Sequence, residues 1–298
     1  MDGIIIIDKP SGPTSAEIVR RVKSRLGKRV RVGHLGTLDP FATGVLPVLV
    51  GEGTKLAPFL QEGEKEYEGM IALGVETDTL DRTGEVVRTV AVPALEAERL
   101  AQVAAQFTGE IEQTPPIFSA IKREGTPLHR LARRGDEVEA PPPRRVRIMR
   151  LELEADDARS LRIRVVCSPG MYVRSLARDI GLALGSAAHL GELRRVRNGS
   201  FTIGQAQPLE RVIAAMEAGT DAGLIGLRQA MQDAPEVEVD AATERRLRHG
   251  DSRALDGLAP TGAKLFKVIA RGELAAIANT TSRVTATIAR IFGDGPAP

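Results

Sequence analysis

Gly33-His34-Leu35-Gly36-Thr37-Leu38-Asp39-Pro40-Phe41-Ala42-Thr43-Gly44-Val45-Leu46-Pro47 is the stretch on which the reading of this chain turns. It sets turn-forming glycines and prolines around one carboxylate in an otherwise apolar or neutral run. Asp39 is the only acid between Glu17 and Glu52, and Arg20, Arg21, Lys23, Arg25, Lys28, Arg29 and Arg31 crowd the approach to it. A single acid in a rigid, glycine-rich loop behind a cationic segment fits a catalytic group facing a polyanion. An ordinary Asp-Pro turn uses the same residues. The loop alone leaves both readings open.

Working outward, Gly3 to Asp8 reads as a buried strand followed by a Lys-Pro-Ser-Gly-Pro turn. Thr14 and Glu17 have capping-box spacing. The helix they open has Ile18, Val22 and Leu26 on one face and is expected to stop at Gly27. Tyr67 to Leu73 and Glu85 to Val90 read as strands around a polar turn. Pro93 to Phe107 reads as a helix with Pro93 in its first turn, and Ala140 to Arg147 reads as a long Pro- and Arg-rich connection. Met149 to Leu153 and Leu161 to Cys167 alternate as strands, the first with Met149, Leu151 and Leu153 on its apolar side. Arg174 opens a helix to about Leu184. After an Ala-, Gly- and Asp-rich boundary near 219–233, a short helix (240–249) and strands at 264–270, 273–279 and 284–291 follow.

Further motifs lie in the same chain: Lys9-Pro10-Ser11-Gly12, Lys65-Glu66-Tyr67, Gly170-Met171-Tyr172-Val173-Arg174-Ser175-Leu176 and His189-Leu190-Gly191-Glu192-Leu193-Arg194-Arg195. With the central stretch they resemble, in order, the motifs of the TruB family of RNA pseudouridine synthases. The resemblance covers most of the first 200 or so residues. It implies an α+β fold: a mixed, largely antiparallel sheet in a catalytic domain over 1–225, with an RNA-gripping insertion at about 110–147. A small, mainly β, PUA-like RNA-binding domain is expected over 232–298. The expected activity is isomerisation of uridine to pseudouridine in the T loop (position 55) of transfer RNA, by base flipping.

The resemblance makes Asp39 the catalytic carboxylate, Arg174 its partner, whose charge is expected to lower the carboxylate pKa, and Tyr67 the ring that stacks on the flipped uracil. Tyr172 and Leu193 become pocket walls, and Gly36 and Thr37 belong to the RNA-facing loop. His34 holds either the RNA or the loop, and Lys9 either braces the loop or contacts RNA. Phe118 and His129 stand where the family commonly has tyrosine; both retain a ring for stacking and lose the hydroxyl. Arg130 and Arg134 are expected to grip RNA from the insertion. No cofactor or metal is expected, since bond rearrangement needs no redox step, and the insertion at Pro115 to Arg147 resembles that of the guide-independent form, so no guide RNA is expected. The expected partner is the T arm of transfer RNA, met by a monomer. The expected tail from about Asp233 adds affinity for the body of that RNA.

Composition narrows the alternatives. The 298 residues carry a net charge of only +2, so any basic face rests on local clusters: the first one, then Arg130 to Arg147, then Arg194, Arg195 and Arg197. A single cysteine, Cys167, excludes an internal disulfide, and the four histidines lack ligand spacing. No apolar run approaches the roughly 20 residues of a membrane helix, and the N-terminus does not read as a signal peptide, so a cytoplasmic protein is expected. There is no Trp, and both tyrosines, Tyr67 and Tyr172, fall within motifs. Two rival functions remain: a glycoside hydrolase, which would need a second acid, and a non-catalytic RNA-binding or chaperone module.

Overall fold

A computed structural model describes residues 1–119, 121–123, 125–128, 134, 139–282 and 285–293. The first half of the chain supplies β1 (Gly3–Lys9), β2 (Val32–His34), β3 (Thr43–Val50), β4 (Lys65–Leu73), β5 (Val75–Thr77), β6 (Val86–Thr89), β7 (Gly109–Gln113), β8 (Lys122–Arg123) and β9 (Thr126–Pro127). Then come β10 (Arg144–Asp157), β11 (Ser160–Cys167), β12 (Ala188–Asn198), β13 (Phe201–Thr202), β14 (Gln207–Pro208) and β15 (Leu224–Ile225). The C-terminal part holds β16 (Glu236–Glu238), β17 (Leu265–Ala270), β18 (Glu273–Thr280) and β19 (Ala286–Ile291).

The main sheet runs β14-β1-β3-β12-β4-β11-β10-β7. It is antiparallel except where β1 meets β14 and β3 meets β12. This is the α+β, mixed and largely antiparallel architecture expected. The continuous isoleucine run of β1 is explained by burial on both faces. Ile5 and Ile7 join a core beneath the helices Ser15–Lys23, Ala97–Phe107, Val173–Ala183 and Leu209–Ala218. Ile4 and Ile6 join a second core, with Leu35, Val45 and Leu49, against Ile269, Leu274, Ile277 and Phe292 of the C-terminal part.

Several expectations shift in detail. The capping box at Thr14 and Glu17 is present, but the helix ends at Lys23, with Ser24 as its C-cap, before Gly27. The helix expected from Pro93 begins at Ala97. The Tyr67 and Glu85 strands are not partners: β4 lies between β11 and β12, while β6 pairs with β5. The Arg144–Arg147 stretch, read as a connection, is strand and pairs with β7. A bulge between Ile148 and Arg150 then resets the alternation of β10. Val146, Ile148 and Leu151 are buried, and Met149 leaves the apolar face. The Ala/Gly/Asp-rich boundary is not a plain linker, since β15 within it pairs with β1. The expected C-terminal strands are present, joined by β16, in a four-stranded sheet.

One irregularity positions everything that follows. β3 and β12 run parallel but pair only at Arg194↔Thr43 and Arg195↔Gly44. Before that point the segment 35–42 leaves the sheet, and the loop after β5 takes its place beside β12. Asp81 bridges Leu190, Arg82 N–H donates to the Leu190 carbonyl, and Leu190 N–H donates to that of Leu80.

Candidate active site

The segment 35–42 is held by its main chain. Every carbonyl from Leu35 to Pro40 has a donor. Asn198 Nδ2 serves Leu35 (2.8 Å) and Arg195 Nη2 serves Gly36 (3.0 Å), with Arg195 Nη1 3.5 Å from that of Thr37. Ser15 Oγ donates to Leu38 (3.1 Å) and accepts from its N–H (2.9 Å). Ala42 N–H closes a turn on Asp39, and Gly12 N–H and Lys9 Nζ both reach Pro40, the latter at 3.0 Å. Gly36 and Gly44 take positive φ (75° and 101°), where L side chains are strained. At Gly44 a Cβ would also lie 2.2 Å from the Arg195 carbonyl oxygen.

Asp39 is thereby delivered to Arg174, at the start of the helix Val173–Ala183. Arg174 Nη2 donates to Asp39 Oδ1 (3.0 Å), and Nε lies 2.9 Å from Oδ2 without hydrogen-bond alignment. The guanidinium is almost fully buried, whereas the carboxylate keeps 31% of its side chain exposed. The remaining donors of Arg174 are also used. Nη2 reaches the Phe118 carbonyl (2.9 Å), and Nη1 reaches the Thr79 carbonyl (2.9 Å) and a second acid, Asp81 (Oδ2, 3.4 Å). Asp81 is itself held by the Thr79 and Thr83 hydroxyls.

The electrostatics differ from the expectation for a simple ion pair. Burial pushes the Asp39 carboxyl up from its ordinary value; Arg174 pulls it down but does not win, and Asp81 adds to the upward push. The lowering expected from Arg174 is present, but desolvation and a second acid outweigh it. Burial brings the Lys9 ammonium down to about 8. It also lowers the His34 imidazole, with help from Arg195. His34 ends β2, and its Nδ1 is enclosed without a hydrogen-bond partner.

Tyr67 lies on β4 opposite Arg195 of β12 and is 7% exposed. Burial raises its phenol, Arg195 opposes that, and the Asp39 charge also reaches it, so ring and carboxylate share one neighbourhood. Tyr172 precedes the arginine helix. Its N–H donates to Gln113 Oε1 (2.8 Å), its carbonyl accepts from Gln113 Nε2 (3.1 Å), and the Arg144 guanidinium stands 4.7 Å from its ring centroid. Leu193, with Phe41, Thr43, Arg82 and Arg194, lines a cavity of about 460 Å³ that flanks the Asp39 segment.

The predicted residues thus converge in part. Asp39, Arg174 and Tyr67 come together; Lys9 and Gly36 serve the loop; Thr37 is exposed. Phe118 meets Arg174 through its backbone. His129 and Arg130 lie outside the described residues, and Arg134 is an exposed turn residue. Sequence reasoning missed Asp81, Gln113, Ser15 and Asn198. It also took Arg195 for a surface cation when it is fully buried. Only the short spacing of Thr79, Asp81 and Thr83 offered a signal.

Comparison with known proteins agrees with this geometry. Residues 23–173 match the family model for the TruB family pseudouridylate synthase N-terminal domain. Residues 174–234 match that of the tRNA pseudouridylate synthase B C-terminal domain. The chain is 45% identical over 251 residues to the tRNA pseudouridine synthase B of Geobacter sulfurreducens, covering 84% of this chain and 82% of that protein. It is 37% identical to that of Syntrophotalea carbinolica over 99% of both. Among solved structures, a Cbf5-Nop10-Gar1 complex aligns with a TM-score of 0.71 at 26% identity, over 97% of this chain and 84% of that one. A loop fixed at each carbonyl, an acid on a buried arginine and these matches lead to one conclusion: the chain belongs to the TruB family of pseudouridylate synthases.

Proposed function

We propose that this protein isomerises uridine to pseudouridine at position 55 in the T loop of transfer RNA, in the cytoplasm, without a guide RNA. The observation that carries this reading is the Asp39 carboxylate, partly exposed yet tied to buried Arg174. The reaction breaks the N1–C1′ bond, turns the base and forms C5–C1′; the proton on C5 is lost and N1 takes one up, so product and substrate are isomers. Asp39 acts on the sugar, by attack at C1′ or by taking a proton from C2′; both need the ionised form. Arg174 orients it with a planar fork, as lysine would not. Tyr67 offers a ring for the flipped base, a contact worth roughly 1–3 kcal/mol. His34, Thr37, Tyr172, Leu193 and Phe118 surround the RNA, and Arg130, Arg134 and His129 grip it from the insertion. Lys9 and Gly36 serve by bracing the loop.

The test is to incubate unmodified transfer RNA with the purified protein alone and map pseudouridine at single-nucleotide resolution. Conversion of the T-loop uridine supports the reading. Release of free uracil would mean a glycoside hydrolase. Binding with no conversion would mean a chaperone.

A further inference from the structure

Arg195 is the bulkiest of the fully buried side chains, at 0% exposure. Enclosing a guanidinium is unfavourable unless both its donors and its charge are answered. Its guanidinium hydrogen-bonds the Tyr67 phenol, and its other acceptors are main-chain carbonyls: Nε meets that of Val45 (2.8 Å) and Nη2 that of Gly36 (3.0 Å), with Nη1 3.5 Å from that of Thr37. Two of these carbonyls precede Asp39 and one follows it. Among the described residues no carboxylate pairs with it: Arg194 and Arg197 beside it take Asp8, Glu64 and Glu66. Its own main chain pairs with Gly44 on one side and Tyr67 on the other. A residue needed only to fill space would not leave a charge here.

We propose that Arg195 is a positioning residue for the isomerisation. Its rigid fork fixes the start of the Asp39 segment, at Gly36 and Thr37, against Val45 of β3. The carboxylate thereby meets Arg174 and shares one register with the Tyr67 ring on the neighbouring strand. The inference rests on the isomerase reading, so wild-type conversion is measured first: if wild type fails to convert, both fall, whereas a converting wild type with unaltered variants overturns this inference alone.

Arg195→Lys keeps the charge, but one ammonium does not span Gly36, Thr37 and Val45 together. Single-turnover conversion is expected to fall roughly 100-fold, since a misplacement of about 1 Å is enough for that. The dissociation constant for transfer RNA should stay within about threefold. The acidic limb of the pH–rate profile should move up, because of the groups acting on Asp39 — Arg174, Asp81 and Lys9 — the arginine's pull weakens most when the loop shifts. Gly36→Ala tests the same contact from the loop side. Its Cβ would stand 3.3 Å from Arg195 Nη1, so it should show the same signature even where Arg195→Lys fails to fold. The double variant should be no slower than the slower single one. A lower melting temperature with rate and limb unchanged, an affinity loss that matches the rate loss, or multiplying effects in the double variant would each overturn the assignment.

Discussion

Asp39 stands between two environments: a desolvated wall holding Arg174 and Asp81, and an open side. Its raised pKa has a consequence for stability as well as rate. An acid whose pKa rises on folding stabilises the fold fully below its ordinary value, 3.8, and loses that contribution as pH climbs through the raised one. Above the raised value, ionised Asp39 therefore no longer supports the fold. Asp39→Asn should melt no lower than wild type at pH 7 in calorimetry, abolish turnover, and keep transfer RNA affinity within about tenfold, or ~1.4 kcal/mol. Single-turnover rates near wild type would remove Asp39 from the chemistry. The two partners should move the acidic limb in opposite directions. Arg174→Ala removes the downward pull, so the limb moves up and the rate drops. Asp81→Asn removes a like charge, so the limb moves down. Parallel profiles for the two variants would break the three-residue account.

The loop, as an element, has little freedom of its own; its shape is imposed by side chains from distant parts of the chain. Gly44→Ala combines a positive φ with a clash against the Arg195 carbonyl and should cost about 2–4 kcal/mol in urea unfolding. A neutral result would mean that β3 and β12 shift apart readily. This element also marks the limit of what the sequence makes legible. The motif around Asp39, the Thr14 capping box, the Arg174 helix and the C-terminal strands rest on short-range patterns or on the family resemblance, and they stand close to where they were read. Asp81 and Gln113 did not stand out, because their importance comes from through-space meetings with Arg174 and Tyr172. Met149 was misplaced because a bulge resets the alternation without leaving a mark in residue type. Arg144 to Arg147 read as a connection because the pairing of β10 with β7 is long-range.

Across the whole molecule, charge that looks segregated along the chain is partly neutralised in space. Arg21 and Arg25 pair with Glu210 and Glu217, some 190 residues away. Arg194 and Arg197 are paired too, whereas Arg145 and Arg147 stay exposed. Replacing those last two should flatten the salt dependence of RNA binding by slightly less than one log unit for each phosphate left unneutralised; an unchanged slope would place the RNA elsewhere. The C-terminal part covers strands β1 and β3 and the start of the Asp39 loop through a shared core, so deleting it exposes Ile4, Ile6, Leu35 and Val45. Phe292→Ala, at a site 1% exposed, should cost about 3–5 kcal/mol in a single unfolding transition. Two separate transitions would show that the C-terminal part folds by itself. Cys167 lies between Ile148 of β10 and Lys65 at the start of β4, and burial pushes its thiol up to about 12. A thiolate is needed for alkylation, so the chain carries one silent nucleophile inside its main sheet. The pace at which a maleimide consumes it under native conditions becomes a clock for the opening of that sheet, one that needs no engineered cysteine.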